Sequence, residues 1–448
     1  MYPPKNINAP NIRRRKITPR AINYILISII VISLYLNLGM TISGFYIPMF
    51  GVYIGAGVLL IFKLYQQKKL SFFRDNRLNK DISTALLFSL SWIITIPFSP
   101  GGLGYVSEHL KSVALLSLST ISAVIVFYEI LQWKHSKLGR YFLIISLFLT
   151  TYAVLETMIP FFRDISNDFR SVLYTDRFIY GSNKRDLVIS GFIRPNVFTQ
   201  EPSHLAKMLA ISTLLYFVSN KGRGALQAYI ALTIIQLLFT GSPTILVGPV
   251  LLTIFYFWKT IDTLNVGFSL YLKILALVGV LIGVLFAQQI ISLLPSERAA
   301  LIASGRDASF VIRTLGPATI AWDTISAYPW AGSGIGGREL VQDILIKAYR
   351  EFPSMRVERF DENIGYAGWG NAFFEIFTYS GFVCGLILIP ALIILLKRFR
   401  AGVLSSILIF LVIFNMDAGF TSVRPWIYFA FTMIALKLWY SQNSELNA

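Results

Sequence analysis

Runs of about 18 to 25 apolar residues recur along the whole chain and restrict its fold more than any other feature. They cover residues 22–41, 45–65, 82–99, 110–132, 141–160, 203–219, 225–240, 243–258, 270–293, 371–396, 402–416 and 425–440. Only 14% of the residues are charged, whereas soluble domains carry about 25%. Soluble enzymes and nucleic-acid-binding proteins are therefore excluded. We predict an all-α polytopic membrane bundle of about twelve transmembrane helices.

The distribution of basic residues predicts the orientation of these helices. If the N-terminus is cytoplasmic, every short basic loop also faces the cytoplasm, as the positive-inside rule requires. These loops contain Lys63, Lys68, Lys69, Arg74, Arg77 and Lys80, then Lys134, Lys137 and Arg140, then Lys221 and Arg223, and finally Lys397, Arg398 and Arg400. The basic N-terminus leads directly into the first apolar window, which is typical of an uncleaved signal anchor. Both termini are expected in the cytoplasm.

Two long connections, 161–202 and 294–370, are predicted on the outer face and divide the chain. They separate a five-helix region (1–160), central membrane helices (203–293) and a three-helix region (371–448). Loops of this length in a compact fold are usually functional or disordered, and their aromatic and apolar residues argue against disorder. The second loop is expected to be partly helical, with a helix from Asp307 through Ala327 at the membrane surface.

The cations of the two outer loops are almost all arginines, whose planar fork suits phosphate or carboxylate. They are Arg163, Arg170, Arg177, Arg185, Arg194, Arg298, Arg306, Arg313, Arg338, Arg350, Arg356 and Arg359. Surface ion pairs with neighbouring acids are the alternative explanation. Arg306 and Arg313 are seven residues apart, which predicts that they lie on the same helix face and bind one anionic ligand together.

An acid and an imidazole are predicted at the outer end of one span. Pro202 suits the first position of a helix, and Glu201 and His204, three residues apart, share one face of it. Glu201 is our first choice for a general base, with a raised pKa if it is partly buried, and His204 is the second. An ordinary helix start is the alternative. Lys207 is expected to extend back to the interface.

Other polar positions are more ambiguous. The glycine-rich segment from Pro329 to Arg338 predicts either an anion cradle or a tight turn without function. Asn371 and Glu375 share one helix face, and Asp417 and Arg424 flank the last outer turn. Helix capping or an interhelical pair would explain either arrangement as well as a binding site would. Glu156, inside an apolar window, is expected to pair within the bundle. The three histidines form no metal-binding motif, so neither a metal nor a cofactor is predicted.

Several of these motifs resemble those of the bacterial O-antigen and capsular polysaccharide polymerases, the Wzy class, which are relatives of the O-antigen ligases. The resemblance lies in Glu201-Pro-Ser, the Arg-rich helix followed by Pro329-Trp-Ala-Gly-Ser-Gly-Ile-Gly-Gly, and Asn371-Ala-Phe-Phe-Glu375-Ile with Gly381. In the ligase-like pattern a histidine commonly precedes the asparagine, whereas Gly370 stands here. This difference weakens a ligase assignment.

The resemblance implies a metal-independent polymerase at the periplasmic face of the bacterial inner membrane. A growing glycan on undecaprenyl pyrophosphate would pass to a fresh lipid-linked repeat unit. It suggests Glu201 and His204 as catalytic residues, Arg194, Arg306, Arg313 and Arg338 as pyrophosphate ligands, and Trp322, Asn371 and Glu375 as glycan-binding residues. Membrane lipids, lipid-linked glycans and a chain-length-regulating co-polymerase are the implied partners. The alternatives are an O-antigen ligase and a non-enzymatic translocator of lipid-linked oligosaccharide.

Overall fold

The computed structural model describes most of the chain, and the described part is almost entirely helical. It covers residues 19–42, 45–67, 76–174, 186–187, 192–220, 222–262, 264, 266–285, 300–302, 304–355, 370–399 and 402–444. One short antiparallel hairpin is present, formed by β1 (Met40–Ile42) and β2 (Phe45–Ile47). The basic N-terminus and the predicted cations Lys68, Lys69, Arg74, Arg177, Arg185, Lys221, Arg298, Arg356, Arg359 and Arg400 lie outside the described residues.

A helix overlaps each of the predicted apolar windows, but the window 371–396, which was predicted as one span, contains two helices that are separated at Gly381. In chain order the helices are α1 (Pro19–Leu36), α2 (Phe50–Gln67), α3 (Asn76–Ser91), α4 (Val106–Leu131), α5 (His135–Met158), α6 (Pro160–Leu173), α7 (Pro202–Ser219), α8 (Arg223–Thr240), α9 (Val247–Asp262), α10 (Val266–Leu285), α11 (Ala308–Phe310), α12 (Gly316–Ala327), α13 (Gln342–Arg350), α14 (Ala372–Ser380), α15 (Val383–Lys397), α16 (Val403–Met416) and α17 (Val423–Ser444).

Four helical stretches of the described chain are long and apolar enough to cross a membrane. They are Gly102–Leu131, His135–Met158, Arg223–Thr240 and Pro243–Asp262, and five shorter apolar helices accompany them. A helical bundle with membrane character follows, whereas the count of about twelve crossings remains a prediction.

Helices α7 and α17 form the centre of the bundle. Helix α7 is buried along almost its whole length and packs against α5, α8 and α17. Helix α17 also packs against α4, and its residues from Val423 to Leu436 are almost all buried. A helix that is apolar on all sides suits such a central place. The few charged residues near the starts of α7 and α17 are therefore forced to find partners inside the protein.

The predicted helix from Asp307 through Ala327 is present, but it contains a π-helical turn. Helix α11 continues into the π turn (Val311–Leu315) and then into α12. Asp307 is the N-cap, and its carboxylate accepts a hydrogen bond of 2.9 Å from the amide of Phe310. Arg306 therefore precedes the helix. The prediction that Arg306 and Arg313 share one helix face is wrong, because the aspartate cap starts the helix after Arg306.

The glycine-rich segment is a packing turn. Its first residues pack against the break between α14 and α15 at Gly381. A Cβ atom at position 381 would lie only 2.4 Å from the amide nitrogen of Gly332. The amides of Ser333 and Ile335 donate to the carbonyl of Thr378 and the hydroxyl of Thr95. Because these donors are already satisfied by protein oxygens, the structure favours the tight turn over the anion cradle.

Candidate functional site

Six charged or titratable side chains meet where α7, the π turn, the connection between α16 and α17 and the first turn of α17 come together. We refer to them as the polar cluster: Glu201, His204, Lys207, Arg313, Asp417 and Arg424. Four of the six are buried: the exposed fraction is 8% for His204, 6% for Lys207, 1% for Asp417 and 9% for Arg424. Ionisable groups buried in an apolar bundle are costly unless they are paired, and such groups commonly mark functional sites.

Glu201 and Arg313 form the accessible edge of the polar cluster. A guanidinium nitrogen of Arg313 lies 3.3 Å from Oε2 of Glu201, and both side chains are 43% exposed. The hydroxyl of Ser203 also donates to Oε2 at 2.9 Å. An ion pair this exposed contributes only about 0 to 1 kcal/mol to stability. Its geometry is therefore more informative about binding and chemistry than about folding.

The electrostatic surroundings of Glu201 correct the expectation of a raised pKa. Burial raises the pKa of the Glu201 carboxyl, but Arg313, the Ser203 hydroxyl, Lys207 and Arg424 outweigh burial and lower it below its ordinary value. The sequence prediction was wrong because it considered desolvation alone and missed the three cations around the carboxylate. Glu201 is ionised near neutral pH.

The π turn and Asn371 hold Arg313. Helix α14 begins after Asn371, whose side-chain oxygen caps the amides of Phe373 and Phe374. The Asn371 side-chain nitrogen donates to the backbone carbonyl of Arg313 at 3.0 Å. π turns are rare and frequently occur at functional sites. Arg313 lies within this π turn, and its guanidinium contacts Glu201.

Arg313 also lines a cavity of about 210 Å³. Its lining combines hydroxyl, amide and apolar groups from the turn before α9 and from α9, α11, the π turn and α16, namely Thr244, Val247, Ser309, Phe310, Thr314, Asn415 and Met416. Arg313 supplies the positive charge of this lining. The combination suits an anionic group attached to a partly apolar ligand.

Asp417 organises the buried side of the polar cluster. One carboxylate oxygen lies 2.9 Å from Nζ of Lys207, and the other lies 2.8 Å from Nε of Arg424. Burial raises the pKa of the Asp417 carboxyl, but Arg424 and Lys207 lower it more strongly, so that it is held ionised. The prediction that Lys207 extends to the interface is wrong, because Asp417 offers a buried partner across the bundle.

His204 is connected to the same network through Arg424. A guanidinium nitrogen of Arg424 lies 2.8 Å from Nε2 of His204. A guanidinium only donates, so Nε2 must accept and is unprotonated. The imidazole proton therefore lies on Nδ1, which is buried without a hydrogen-bond partner among the described residues. The basic nitrogen of our second candidate base is thus occupied, and Glu201 is the more accessible candidate.

The backbone just before Glu201 is strained. Val197 and Phe198 have φ angles of 46° and 68°, a region that a β-branched residue such as valine rarely adopts. The carboxylate of Glu156 accepts hydrogen bonds from the amides of Asn196 and Val197 at 2.9 and 2.8 Å. Glu156 was expected to pair within the bundle, and its carboxylate interacts with the side chains of Ser166 and Arg170 as well as with these two amides. Such strain persists only where the surrounding structure enforces it, often at functional sites.

Helix α6 and two tyrosines fix the same segment. Arg170 donates to the carbonyl of Gln200 at 3.2 Å, and the hydroxyl of Ser166 accepts from the amide of Phe198 at 3.0 Å. The hydroxyls of Tyr35 and Tyr174 donate to the carbonyls of Val197 and Phe198. Glu201 therefore follows a segment that is anchored from several directions.

The four arginines predicted to bind pyrophosphate have different surroundings. Arg313 lies in the polar cluster. The Nε atom of Arg194 forms an ion pair of 2.7 Å with Asp186, and Arg306 is exposed before α11. Burial lowers the pKa of Arg338, whose electrostatic neighbours are the side chains of Tyr379, Glu375, Tyr349 and Glu339. Arg313 is thus the one of the four that directly contacts a predicted catalytic residue.

The residues predicted to bind glycan also differ in exposure. Trp322 on α12 is 71% exposed, whereas Asn371 and Glu375 are buried. The Glu375 carboxylate accepts from the amides of Gly419 and Phe420 at 2.9 and 2.6 Å. Glu375 therefore fixes the turn just after Asp417, whereas the Asn371 side-chain nitrogen donates to the carbonyl of Arg313 and to the side-chain oxygen of Asn415. Their roles in glycan binding remain predictions.

The comparisons with known proteins leave the family open. No protein-family model matches the chain, and no curated protein matches it closely enough to indicate a relationship. Among the described residues, no group of three or more histidine, cysteine, aspartate or glutamate side chains has an arrangement suited to a metal ion.

Proposed function

We propose that this protein is a membrane glycosyltransferase that polymerises oligosaccharide repeat units carried on undecaprenyl pyrophosphate at the periplasmic face of the inner membrane. The contact of 3.3 Å between Glu201 and Arg313 is the observation that carries this proposal. The sequence predicted the two residues separately, one as a base and the other as a pyrophosphate ligand. They are 112 positions apart in the chain, and the fold brings them into contact. Both side chains remain accessible to a ligand.

In the proposed reaction, a hydroxyl oxygen of the acceptor sugar attacks the anomeric carbon of the donor glycan. A new carbon–oxygen bond forms while the bond between the anomeric carbon and the pyrophosphate oxygen breaks. The hydroxyl proton passes to the carboxylate of Glu201, and undecaprenyl pyrophosphate leaves as an anion. Arg313 stabilises the charge that develops on the departing phosphate.

Donor binding strengthens Glu201 as a base in this scheme. The Arg313 charge contributes to the lowered pKa of Glu201. A bound pyrophosphate competes for the same guanidinium and adds negative charge nearby, and both effects raise the pKa of the carboxylate. The general base therefore gains proton affinity when the leaving group is in position, which couples donor binding to acceptor activation.

An O-antigen ligase would use the same donor with lipid A-core as its acceptor, and a translocator would form no glycosidic bond. The position of the polar cluster argues against translocation. Glu201 precedes α7, Asp417 follows α16 and Arg424 lies in the first turn of α17, so these charges gather at helix ends. A translocator is expected to carry charges along a path through the middle of the membrane.

A reconstitution assay separates the three functions. Purified protein in proteoliposomes receives a labelled lipid-linked repeat unit together with either unlabelled repeat units or lipid A-core. A polymerase yields a ladder spaced by one repeat, whereas a ligase yields labelled lipid A-core. Movement of label across the bilayer without a covalent product would identify a translocator and overturn the proposal.

A further inference from the structure

Helix α6 presents an apolar face that is largely open, although the ring of Phe169 at its edge also packs against Phe198. This face consists of Phe161, Ile165, Phe169 and Val172, which are 64%, 38%, 42% and 84% exposed. On a helix that advances about 100° per residue, these four positions fall within an arc of about 80°. An exposed apolar stripe of this kind marks an interaction surface.

The other two faces of α6 have different environments. The second face is buried against the protein through Ser166 and Arg170, which are 0% and 2% exposed. The third face is polar and open, and its exposed residues are Asp164, Asn167, Asp168 and Ser171. The helix thus contacts protein on one side, while an apolar and a polar face both point away from the bundle.

The position of α6 in the chain indicates what covers its apolar face. The helix begins directly after α5, one of the four helices long and apolar enough to cross a membrane. Ile159 is extended, with a φ of −124°, and Pro160 starts the new helix. Because α6 follows the end of a candidate span, it begins at the boundary between hydrocarbon and water.

We propose that α6 lies in the headgroup region of the bilayer, with Phe161, Ile165, Phe169 and Val172 inserted among the lipid chains. A helix with phenylalanines on one face, a charged and polar face beside it and low overall hydrophobicity has the amphipathic pattern of interfacial helices. The partner of this surface is the lipid of the outer leaflet. The proposal concerns membrane placement and does not depend on glycosyl transfer.

This placement has a consequence for the polar cluster. The buried face of α6 binds the strained segment through Ser166 and Arg170, and Glu201 follows that segment directly. The interfacial helix therefore sets the depth of the Glu201 carboxylate relative to the lipid headgroups. A reactive group at that depth suits a substrate whose reacting end is held at the membrane surface by a lipid tail.

Site-directed spin labelling tests this placement in the full-length protein. Nitroxides are attached at Phe161→Cys and Val172→Cys, with Asp164→Cys and Ser171→Cys as matched controls on the polar face. Cys384, the single cysteine of the chain, is first replaced by alanine. The labelled proteins are reconstituted in vesicles of phosphatidylethanolamine and phosphatidylglycerol. Relaxation is then measured with oxygen, which concentrates in lipid, and with a water-soluble nickel chelate.

Labels at positions 161 and 172 should relax more with oxygen, and labels at 164 and 171 more with nickel. Preferential relaxation by nickel at positions 161 and 172 would show that the apolar face meets water. Protection from both reagents would show that protein, such as a second copy of the chain, covers it. Either result overturns the proposal, and neither bears on whether the protein transfers glycans.

Discussion

Arg424 donates a hydrogen bond of 2.8 Å to Nε2 of His204 at the buried side of the polar cluster. This bond fixes the tautomer of the imidazole, and the ion pair with Asp417 fixes Arg424 in turn. With His204 neutral, the three cations of the polar cluster face the carboxylates of Glu201 and Asp417. One positive charge remains in excess, which favours an anionic ligand.

Replacing Asp417 tests whether the buried network depends on its charge. Asp417→Asn leaves Lys207 and Arg424 buried beside a neutral amide, so that the free energy of unfolding should fall by about 3 to 5 kcal/mol. Glu108→Gln is the matched control, because the ion pair of Glu108 with Lys111 is 42% to 45% exposed and should contribute about 0 to 1 kcal/mol. Denaturant titration in detergent measures both. Equal effects would mean that the buried pairs contribute no more than surface pairs.

Two substitutions at His204 separate positioning from proton transfer. The side-chain oxygen of glutamine can accept the Arg424 hydrogen bond, whereas leucine leaves that buried donor unsatisfied at a cost of about 1 to 3 kcal/mol. If His204 positions Arg424, His204→Gln should retain most of the activity and His204→Leu should lose both stability and activity. Extension assays and thermal unfolding provide the comparison. Inactive but fully folded His204→Gln would instead assign His204 a chemical role.

Local patterns predicted the elements of the fold better than their contacts. Apolar run length is a local property, and helices lie in all the predicted windows. The helix ending at Ala327 was also recognised from its apolar residues and the proline that follows. The π turn was not predicted, because a change from α-helical to π-helical hydrogen bonding leaves no clear pattern in composition. Arg306 was misplaced because a capping aspartate separates it from the helix.

The site was predicted only in part for a related reason. Glu201 and Arg313 were singled out because each lies beside another local signal, yet their contact depends on tertiary structure. Lys207 was expected at the interface because its buried partner, Asp417, lies 210 positions away. The one available signal was that Asp417 and Arg424 flank the last outer turn between two apolar windows. Sequence alone left helix capping and ion pairing equally open there.

Substitution of Arg313 tests the need for its planar fork. Arg313→Lys keeps the charge but loses the bidentate geometry, so that one charge-assisted hydrogen bond of about 1.5 to 3 kcal/mol is at stake. This corresponds to a loss of roughly ten- to a hundredfold in kcat/KM. Arg306→Lys is the comparison, because Arg306 is exposed before α11 and should matter less. Equal losses of kcat/KM in the two variants would show that Arg306 also contributes to phosphate binding.

The lowered pKa of Glu201 predicts the acid side of the pH profile. If ionised Glu201 is required, kcat/KM of the wild type should fall only below pH 4.5, the ordinary value for this carboxyl. Arg313→Gln removes a charge that lowers the pKa of Glu201, so the fall should move to higher pH. Initial rates of extension across a pH series measure the shift. An unchanged acid limb would show that another group controls it.

Extension of a purified lipid-linked repeat unit by Glu201→Gln protein in proteoliposomes tests the central claim most directly. Because Glu201 is 43% exposed and in an exposed ion pair, the variant should fold and unfold like the wild type. We predict that it forms no product longer than the starting repeat unit, while the wild type forms a ladder. A ladder of wild-type length and yield from the folded variant would contradict the proposed role of Glu201 and the account of the site.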